Sequence, residues 1–453
     1  MLGAEFREGV APVFASPVLR RLLPAFALSA IGDGMSAVGV AWLAIRIAAP
    51  ADRGLVVGVA VAAYTLPGAA GAVLLARPLR ALAGRHLVAA DAALRAVTLA
   101  VIPLLYATGA LRPGWYVALL AASSLLHAWG ISGQYTLVAE QLPPQARTAA
   151  NALLSGFTMA AFVIGPALAG VLVAAAGPAL PVTADAATFA ILAVAAATVR
   201  GHRPVPAGGR AGGTADRIRG FAVIARSRPL AGLLALTVVY YFLYGPVEVA
   251  LPLYVTGPLG GSAGLLGLFW TVFGIGATAG SMTAGLARRL PLWPVLMVAV
   301  IGWGAALIPL GLLAAPVPAL AAFAAGGLLY APYPALSATL FQRESPPELL
   351  SQVLAARGAL TVLATPLGTA LGGPLTTWLG ARHTLLASAA ATVAAGLAAT
   401  VLLTMASARG MSRANPAGRA GRRYRPGRSR PATPVPPAGL PASCSGARSQ
   451  EQP

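Results

Sequence analysis

Residues 150–176 read ANALLSGFTMAAFVIGPALAGVLVAAA, and no charged side chain interrupts them. A helix needs about 20 apolar residues to cross the hydrocarbon core of a bilayer, so this stretch is long enough to span it. Backbone polar groups in lipid must find hydrogen-bond partners inside the protein, so a spanning segment is either a helix or a strand of a closed barrel. A barrel strand would alternate apolar and polar residues, and this run does not alternate. The stretch therefore predicts a membrane-spanning helix.

The same pattern recurs outward along the whole chain of 453 residues. Apolar side chains make up 57% of it and charged ones only 10%, whereas an ordinary soluble domain is about a quarter charged. This composition excludes a soluble globular protein and predicts an all-α integral membrane protein with 12 transmembrane helices. The predicted spans are 22–48, 54–76, 86–108, 114–138, 150–176, 179–199, 230–255, 263–287, 291–313, 317–341, 351–378 and 383–406.

The basic residues indicate how the chain is oriented. All 32 are arginine, and against 12 acidic residues they give a formal charge of +20. Such an excess can indicate nucleic-acid binding, but here the arginines fall between apolar runs and in a tail, so we expect no nucleic-acid partner. With the N-terminus inside, the outer loops hold only Arg53, Arg112 and Arg382. The positive-inside rule therefore predicts a multi-pass membrane protein with both termini in the cytoplasm.

Composition also divides the chain into segments. We predict a cytoplasmic N-terminal segment at 1–21, a six-helix bundle at 22–199, a cytoplasmic linker at 200–229 and a second six-helix bundle at 230–406. Residues 407–453 are basic and rich in proline and arginine, which predicts a disordered cytoplasmic tail. Within the linker, Thr214–Arg226 could form a short amphipathic helix on the inner membrane surface.

The two halves repeat one another. Residues 135–177 align without a gap on residues 338–380. Two like-oriented halves, related by an axis along the membrane normal, are the organisation that a rocking transporter requires. The alignment matches the proline pair Pro143-Pro144 with Pro346-Pro347 and three glycines, Gly165, Gly170 and Gly177, with Gly368, Gly373 and Gly380.

At these motifs the chain resembles the major facilitator superfamily, in its bacterial drug and siderophore exporter-like branch. The pieces that carry the resemblance are Leu142-Pro143-Pro144, the run IGPALAG at 164–170 and the run ADAATF at 184–189. The resemblance implies the major facilitator fold of two pseudo-symmetric six-helix bundles. The run in helix 5, with Gly156 upstream and Gly165, Pro166 and Gly170 within it, resembles the motif that the family associates with export, although Ala169 stands where glycine is usual.

The family's gating motif between helices 2 and 3 is only partly present. That motif has a glycine, an aspartate and clustered basic residues. This chain keeps Arg77, Arg80 and Arg85 but has no aspartate there. The helix 4 arginine of many proton antiporters is not evident either, and His127 lies in its vicinity. The chain thus departs at two places from the residues that the resemblance implies for proton antiport.

Asp33, between Gly32 and Gly34 in the first span, is the strongest candidate for function. A charged side chain near the bilayer centre costs at least about 2.5 kcal/mol, so it needs a cavity, a partner or neutralisation. Asp33 could carry a proton or contact a cationic substrate; the alternative is a structural carboxylate bonded to a neighbouring helix. His127 could titrate near neutral pH, but a lone histidine is more often structural.

Glu248 follows Gly245-Pro246 in helix 7 and is the second candidate. A carboxylate beside aromatic rings could bind an amphipathic cation by charge and cation–π attraction, although packing or interface roles for the tyrosines are favoured. The aromatic candidates are Tyr240, Tyr241 and Tyr244 in helix 7 and, more weakly, Tyr330 and Tyr333 in helix 10.

Other charged residues are expected to be structural. Asp91 and Arg95 are one helical turn apart, so we predict that they pair with each other, or with a loop arginine, as a lock. Asp185 lies near the start of helix 6, where it would cap the helix. Arg46 and Arg357 would extend to the membrane surfaces.

Several classes of function are excluded. Without lysine no phosphate loop of the GxxxxGK[ST] type exists, no HExxH motif occurs, and the single cysteine, Cys444, permits no cysteine-ligated zinc site. We therefore expect no enzyme activity, cofactor or metal. The sequence favours a monomeric secondary transporter that exports a small amphipathic compound, such as a drug, antibiotic or siderophore, in exchange for protons across the bilayer. The alternatives are an importer of the same fold and a non-transporting membrane scaffold or sensor.

Overall fold

The computed structural model describes residues 11–79, 82–199, 214–286 and 290–413, and the regular elements in them are helical. The chain divides into Met1–Leu403 and a second unit, Thr404–Pro453; the fold and the sites below concern the first. Residues 1–10, Arg80, residues 200–213 of the linker and residues 414–453 of the tail lie outside the described residues.

The helices follow the predicted spans closely, with breaks in two of them. A short helix, Ala76–Leu79, follows the second, and the linker helix Thr214–Arg226 precedes the seventh. In the first half the helices are α1 (Pro17–Ile47), α2 (Arg53–Leu74), α3 (Gly84–Ala107), α4a (Pro113–Ser124), α4b (His127–Gln141), α5 (Pro144–Ala176) and α6 (Leu180–Ala197). In the second half they are α7 (Arg228–Thr256), α8 (Ala263–Leu286), α9 (Leu292–Leu312), α10a (Pro316–Tyr330), α10b (Pro332–Glu344) and α11 (Leu350–Arg413).

Within the described residues, 11 helical segments are long and apolar enough to cross a membrane. The last, Pro347–Met405, has 59 residues and contains Gly380, which departs from helical geometry. A single crossing needs about 20 residues, so this segment is long enough for two. The all-helical membrane fold is therefore confirmed, and the helices are consistent with the 12 predicted spans.

Local signals in the sequence explain where the helices begin and turn. Ser16 accepts a hydrogen bond from the Leu19 amide, and Ser227 accepts one from Leu230, each before a proline in the first turn. Gly177, after α5, has a φ of +90°, and Gly380 has a φ of +78°. Glycine adopts this left-handed region without steric cost, so the two aligned glycines make equivalent turns in the two halves.

The apolar side chains form two hydrophobic clusters, one mostly from α1 to α6 and the other mostly from α7 to α11. A few residues cross between them. Met35 and Val38 of α1 are in the second cluster, whereas Val249 of α7 is in the first. The halves therefore share apolar contacts along α1 and α7.

The two halves touch at one end of the bundle. We call this the closed end; it carries the α1–α2, α5–α6 and α7–α8 loops. A Cβ at Gly170 of α5 would lie 2.8 Å from Gly264 Cα of α8, and a Cβ at Gly58 of α2 would lie 2.7 Å from Gly373 Cα of α11. Helix backbones approach this closely only where side chains are missing, as in other membrane helix pairs.

The opposite end of the bundle carries the linker, and we call it the linker end. Gly156 of α5 and Gly358 of α11 face open space where a Cβ would stand. Leu74 at the end of α2 and Met282 near the end of α8 are largely exposed. Among the described glycines, close backbone approach between the halves is therefore found towards the closed end and not at the linker end.

Candidate functional site

A buried ion pair joins α1 to α3. Arg95 Nη1 donates to Asp33 Oδ1 at 2.5 Å. Arg95 is 1% exposed and the Asp33 side chain 34% exposed, so the carboxylate is the accessible partner. The Arg95 guanidinium also lies 4.5 Å from the ring centre of Phe189 and 5.2 Å from that of Tyr64. One carboxylate and two aromatic faces therefore hold this buried cation.

Tyr64 of α2 connects Asp33 to a second carboxylate, Asp185 of α6. Its hydroxyl lies 2.8 Å from Asp33 Oδ1 and 3.4 Å from Asp185 Oδ2. Ser36 Oγ also donates to Asp185 Oδ2, at 2.8 Å. A phenol has one hydrogen to donate, so Tyr64 bonds one carboxylate at a time. We call Asp33, Ser36, Tyr64, Arg95 and Asp185 the polar cluster.

Two of the predicted structural roles are wrong. Arg95 pairs with Asp33 on another helix and not with Asp91 on its own. Asp185 does not cap α6, because that helix begins at Leu180 and Asp185 is buried within it against α1. The close approach of α1 explains this burial, since Gly32 has no side chain and a Cβ there would collide with the Asp185 carboxylate.

A cavity of about 190 Å³ adjoins the polar cluster inside the first half. It brings the candidates Asp33, Asp91 and His127 together around one space, with Gln134 of α4b and Thr158 of α5 as further polar neighbours. The rest of the lining is apolar or small: Phe26, Ser29, Ala30, Val88, Gly130, Ile131, Leu154, Phe157, Phe189 and Leu192. We call this space the first-half cavity.

The candidate tyrosines come together in the second half as a stack. The Tyr240 ring lies 4.1 Å from that of Tyr333 and 5.3 Å from that of Tyr330, and Tyr244 lies 5.1 Å from Tyr330. Tyr240, Tyr244 and Tyr333 are buried, whereas Tyr330 and Tyr241 are half-buried. The Tyr333 hydroxyl donates to Thr237 Oγ1 at 3.0 Å. Only the half-buried rings can therefore meet a ligand without repacking.

Glu248 and Arg357 lie at different positions along α7 and α11. Glu248 Oε2 accepts a hydrogen bond from Thr369 Oγ1 at 2.9 Å. Arg357 Nη2 donates to Ser337 Oγ at 2.9 Å, and its guanidinium lies 5.1 Å from the Phe341 ring centre. Arg357 therefore does not extend to the membrane surface as predicted; it is held inside the second half by α10b.

The predicted gating residues are only partly accounted for. Arg85 Nη1 donates to the Val199 carbonyl at 2.9 Å, which ties the start of α3 to the end of α6. The Arg77 side chain and Arg80 are outside the described residues. In α5, Gly165 contacts the backbone of Gly34, and the Pro166 carbonyl approaches Gly267 of α8. The helix 5 motif thus lies where α5 contacts both α1 and the other half.

Sequence reasoning missed Tyr64, Ser36 and Thr369. Each bears a hydroxyl in a mostly apolar span, and such residues are so common in membrane helices that none of the three stood out. A useful signal would have been that buried hydroxyls bond to nearby acids. Asp33 and Glu248 each needed such donors inside the protein.

Similar proteins are known. The chain is 34% identical over 164 residues to the uncharacterized MFS-type transporter y4rN of Sinorhizobium fredii, a match covering 36% of this chain and 40% of that relative. The match thus spans less than half of the relative's length. No family model matches the chain.

Solved structures share the fold. The crystal structure of the nucleoside transporter NupG has a TM-score of 0.70 at 12% identity, over 85% of this chain and 99% of that one. A bacterial homolog of the human lysosomal transporter Spinster, inward-facing and unoccupied, has a TM-score of 0.63 at 14% identity, over 85% and 97%. The chain therefore has a fold like that of solved membrane transporters, and over 164 residues it is similar in sequence to an uncharacterized MFS-type transporter.

Proposed function

We propose that this protein is a secondary active transporter that exports a small amphipathic organic compound, such as a drug, antibiotic or siderophore. The export would be driven by an ion gradient, with the proton as the coupling ion. It would act as a monomer in the bacterial cytoplasmic membrane, with both termini in the cytoplasm. The observation that carries the proposal is the bundle itself, whose halves approach backbone to backbone at the closed end and not at the linker end, with a partly accessible Asp33 in the first half. Under this topology the linker end faces the cytoplasm, the side from which an exporter loads.

The two halves would have different roles, ion coupling in the first and substrate recognition in the second. In the first half, Tyr64 can donate its one hydrogen to Asp33 or to Asp185, so neutralising either carboxylate favours a bond to the other. In the second half, Glu248 and the half-buried Tyr241 and Tyr330 offer a negative charge and aromatic faces. Charge with aromatic faces is the chemistry that recognises an amphipathic cation.

Ethidium, an aromatic cation, is a suitable probe. Cells lacking the gene should retain more ethidium than cells expressing it, and expression of the Glu248→Gln variant should restore export poorly. An importer would give the opposite result, with less retention after deletion, and a scaffold would give no change. Either outcome would refute export of this class of compound.

The coupling role of Asp33 needs its own test. In vesicles holding the purified protein, an imposed pH gradient should drive ethidium uptake by the wild type and not by Asp33→Asn. Asp52→Asn, which neutralises an exposed carboxylate before α2, is the matched control and should behave as the wild type. Equal pH-gradient-driven uptake by Asp33→Asn would show that Asp33 does not couple transport to protons.

A further inference from the structure

The first-half cavity contains a carboxylate that nothing in the polar cluster satisfies. Asp91 of α3 is 7% exposed, lines the cavity, and its Oδ1 has no hydrogen-bond partner in the described part of the chain. A buried carboxylate without a partner is costly, because its charge has lost its hydration. Asp91 therefore needs either a bound cation or a proton to neutralise it.

The charged groups around Asp91 do not supply a compensating positive charge. Besides Asp91, the titratable and charged groups that line the first-half cavity or belong to the polar cluster are Asp33 on α1, Tyr64 on α2, Arg95 on α3, His127 on α4b and Asp185 on α6. Arg95 is committed to Asp33. Asp185 Oδ1 also lacks a partner, but its Oδ2 accepts from Ser36 and Tyr64. Three carboxylates thus share one guanidinium, and Asp91 is the one without a described hydrogen-bond donor.

The helix packing aims Asp91 at the cavity. Gly130 of α4b stands beside it, and a Cβ at that position would lie 2.8 Å from Asp91 Cβ and still closer to its carboxylate. Gly130 thus leaves room for the carboxylate between α3 and α4b. Ile131 and Thr158 on the cavity wall are exposed, so the space is not sealed.

The size and chemistry of the space limit what could occupy it. About 190 Å³ is below the roughly 300 to 1,000 Å³ of organic-ligand pockets, yet it has room for several waters. Among the described residues, no group of three or more His, Cys, Asp and Glu side chains could hold a metal ion, which disfavours a divalent metal. One or two carboxylates, an amide, a hydroxyl and water are oxygen-rich ligands suited to a hydrated monovalent ion.

We propose that the first-half cavity binds a hydrated Na⁺ ion, anchored by Asp91 Oδ1. Gln134, Thr158 and the free Asp33 oxygen would face the hydration shell of this ion. As a coupling-ion site this inference rests on the proposed function, and it would make Na⁺ the driving ion alongside or instead of protons. Sodium binding itself can be measured at equilibrium in the purified full-length protein, without any transport.

Equilibrium binding of radioactive sodium to the detergent-purified chain tests the site. The wild type should bind about one Na⁺ per chain saturably, and NaCl should raise its thermal midpoint relative to choline chloride at equal ionic strength, as any ligand of the folded state does. Asp91→Asn should lose both effects. Asp52→Asn, the exposed-carboxylate control, should keep both.

A second variant keeps the test decisive if Asp91→Asn fails to fold. Thr158→Val removes one hydroxyl from the cavity wall at almost constant volume and should weaken sodium binding several-fold. Wild-type protein without saturable binding, or an Asp91→Asn variant that folds and binds like the wild type, overturns the proposal. Protons that bind at Asp91 while Na⁺ has no effect overturn it as well.

These outcomes are separable from the proposed function. Sodium binding without ethidium transport would remove the transporter proposal and leave the site. Ethidium transport by protein that binds no sodium, or whose rate is unchanged when Na⁺ replaces choline, would remove the site and leave the transporter.

Discussion

The two halves of the molecule place different chemistry at matching positions. Aligning the capping serines Ser16 and Ser227 places Asp33 of α1 on Tyr244 of α7. Extending the repeat of α4 and α10 places His127 on Tyr330. The first half thus has a carboxylate and an imidazole where the second half has two phenols, 5.1 Å apart between ring centres.

The backbone packing beneath these positions is the same. A Cβ at Gly34 of α1 would lie 3.3 Å from Gly165 Cα of α5, and a Cβ at the aligned Gly245 of α7 would collide with the backbone of Gly368 in α11. Helix packing in both halves is therefore set by glycine at equivalent crossings. The glycines therefore maintain the same helix crossings in both halves, whereas the interior side chains differ. They are charged in the first half and aromatic in the second.

The largest effect should come from the charged interior. Arg95→Gln removes the one guanidinium that Asp33, Asp91 and Asp185 share, and breaking a buried pair in this way costs about 3 to 5 kcal/mol. Asp33→Asn should cost less, because Asp91 and Asp185 remain near Arg95. Denaturant unfolding of the detergent-purified protein measures both variants. A smaller loss for Arg95→Gln than for Asp33→Asn would show that charge imbalance does not dominate this half.

A smaller effect, and an equal one in the two halves, is expected at the glycine crossings. Gly165→Ala and Gly368→Ala each force a Cβ into neighbouring backbone, and overpacking of this kind costs about 1 to 3 kcal/mol. Gly156→Ala, also in α5, is the control; its Cβ would meet open space, so helix propensity alone should leave stability unchanged or slightly raised. Unequal losses at Gly165 and Gly368 would break the proposed equivalence of the crossings.

The smallest effect should distinguish two tyrosines of the aromatic stack. Tyr333→Phe removes a hydroxyl that donates to Thr237, at a cost of about 1 kcal/mol. Tyr240→Phe removes a buried hydroxyl that has no partner among the described residues, so it should be neutral or slightly stabilising. Thermal midpoints of the two variants measure the difference. If Tyr240→Phe were the more damaging, its hydroxyl would have a bound ligand or water in solution.

The fold was largely predictable because each helix satisfies its own backbone and its apolar length is readable locally. The repeat even anticipated the equivalent turns at Gly177 and Gly380. The ion pairing was not predictable in the same way. Spacing along one helix favoured Asp91 as the partner of Arg95, but the rotation of α1 against α3 decides which carboxylate arrives, and that rotation depends on packing by every neighbour.

Asp185 illustrates the same limit. Its position near a helix start favoured capping, yet the bare backbone at Gly32 lets α1 approach and bury it. The break between α4a and α4b had no proline to announce it, whereas Pro332 stands at the corresponding break in α10. Local signals therefore predicted helices and turns, and contacts between distant helices determined the site.

The seam at the closed end has a consequence for exchange between conformations. Where Gly170 faces Gly264 and Gly58 faces Gly373, main chain lies against main chain, and no interlocked rotamers join the two bodies at those points. At these two points alone, separation would leave no cavity to fill and no side chain to repack. If the two halves move apart in transport, these points would part by hydrating backbone, whereas the apolar contacts of α1 and α7 would have to repack.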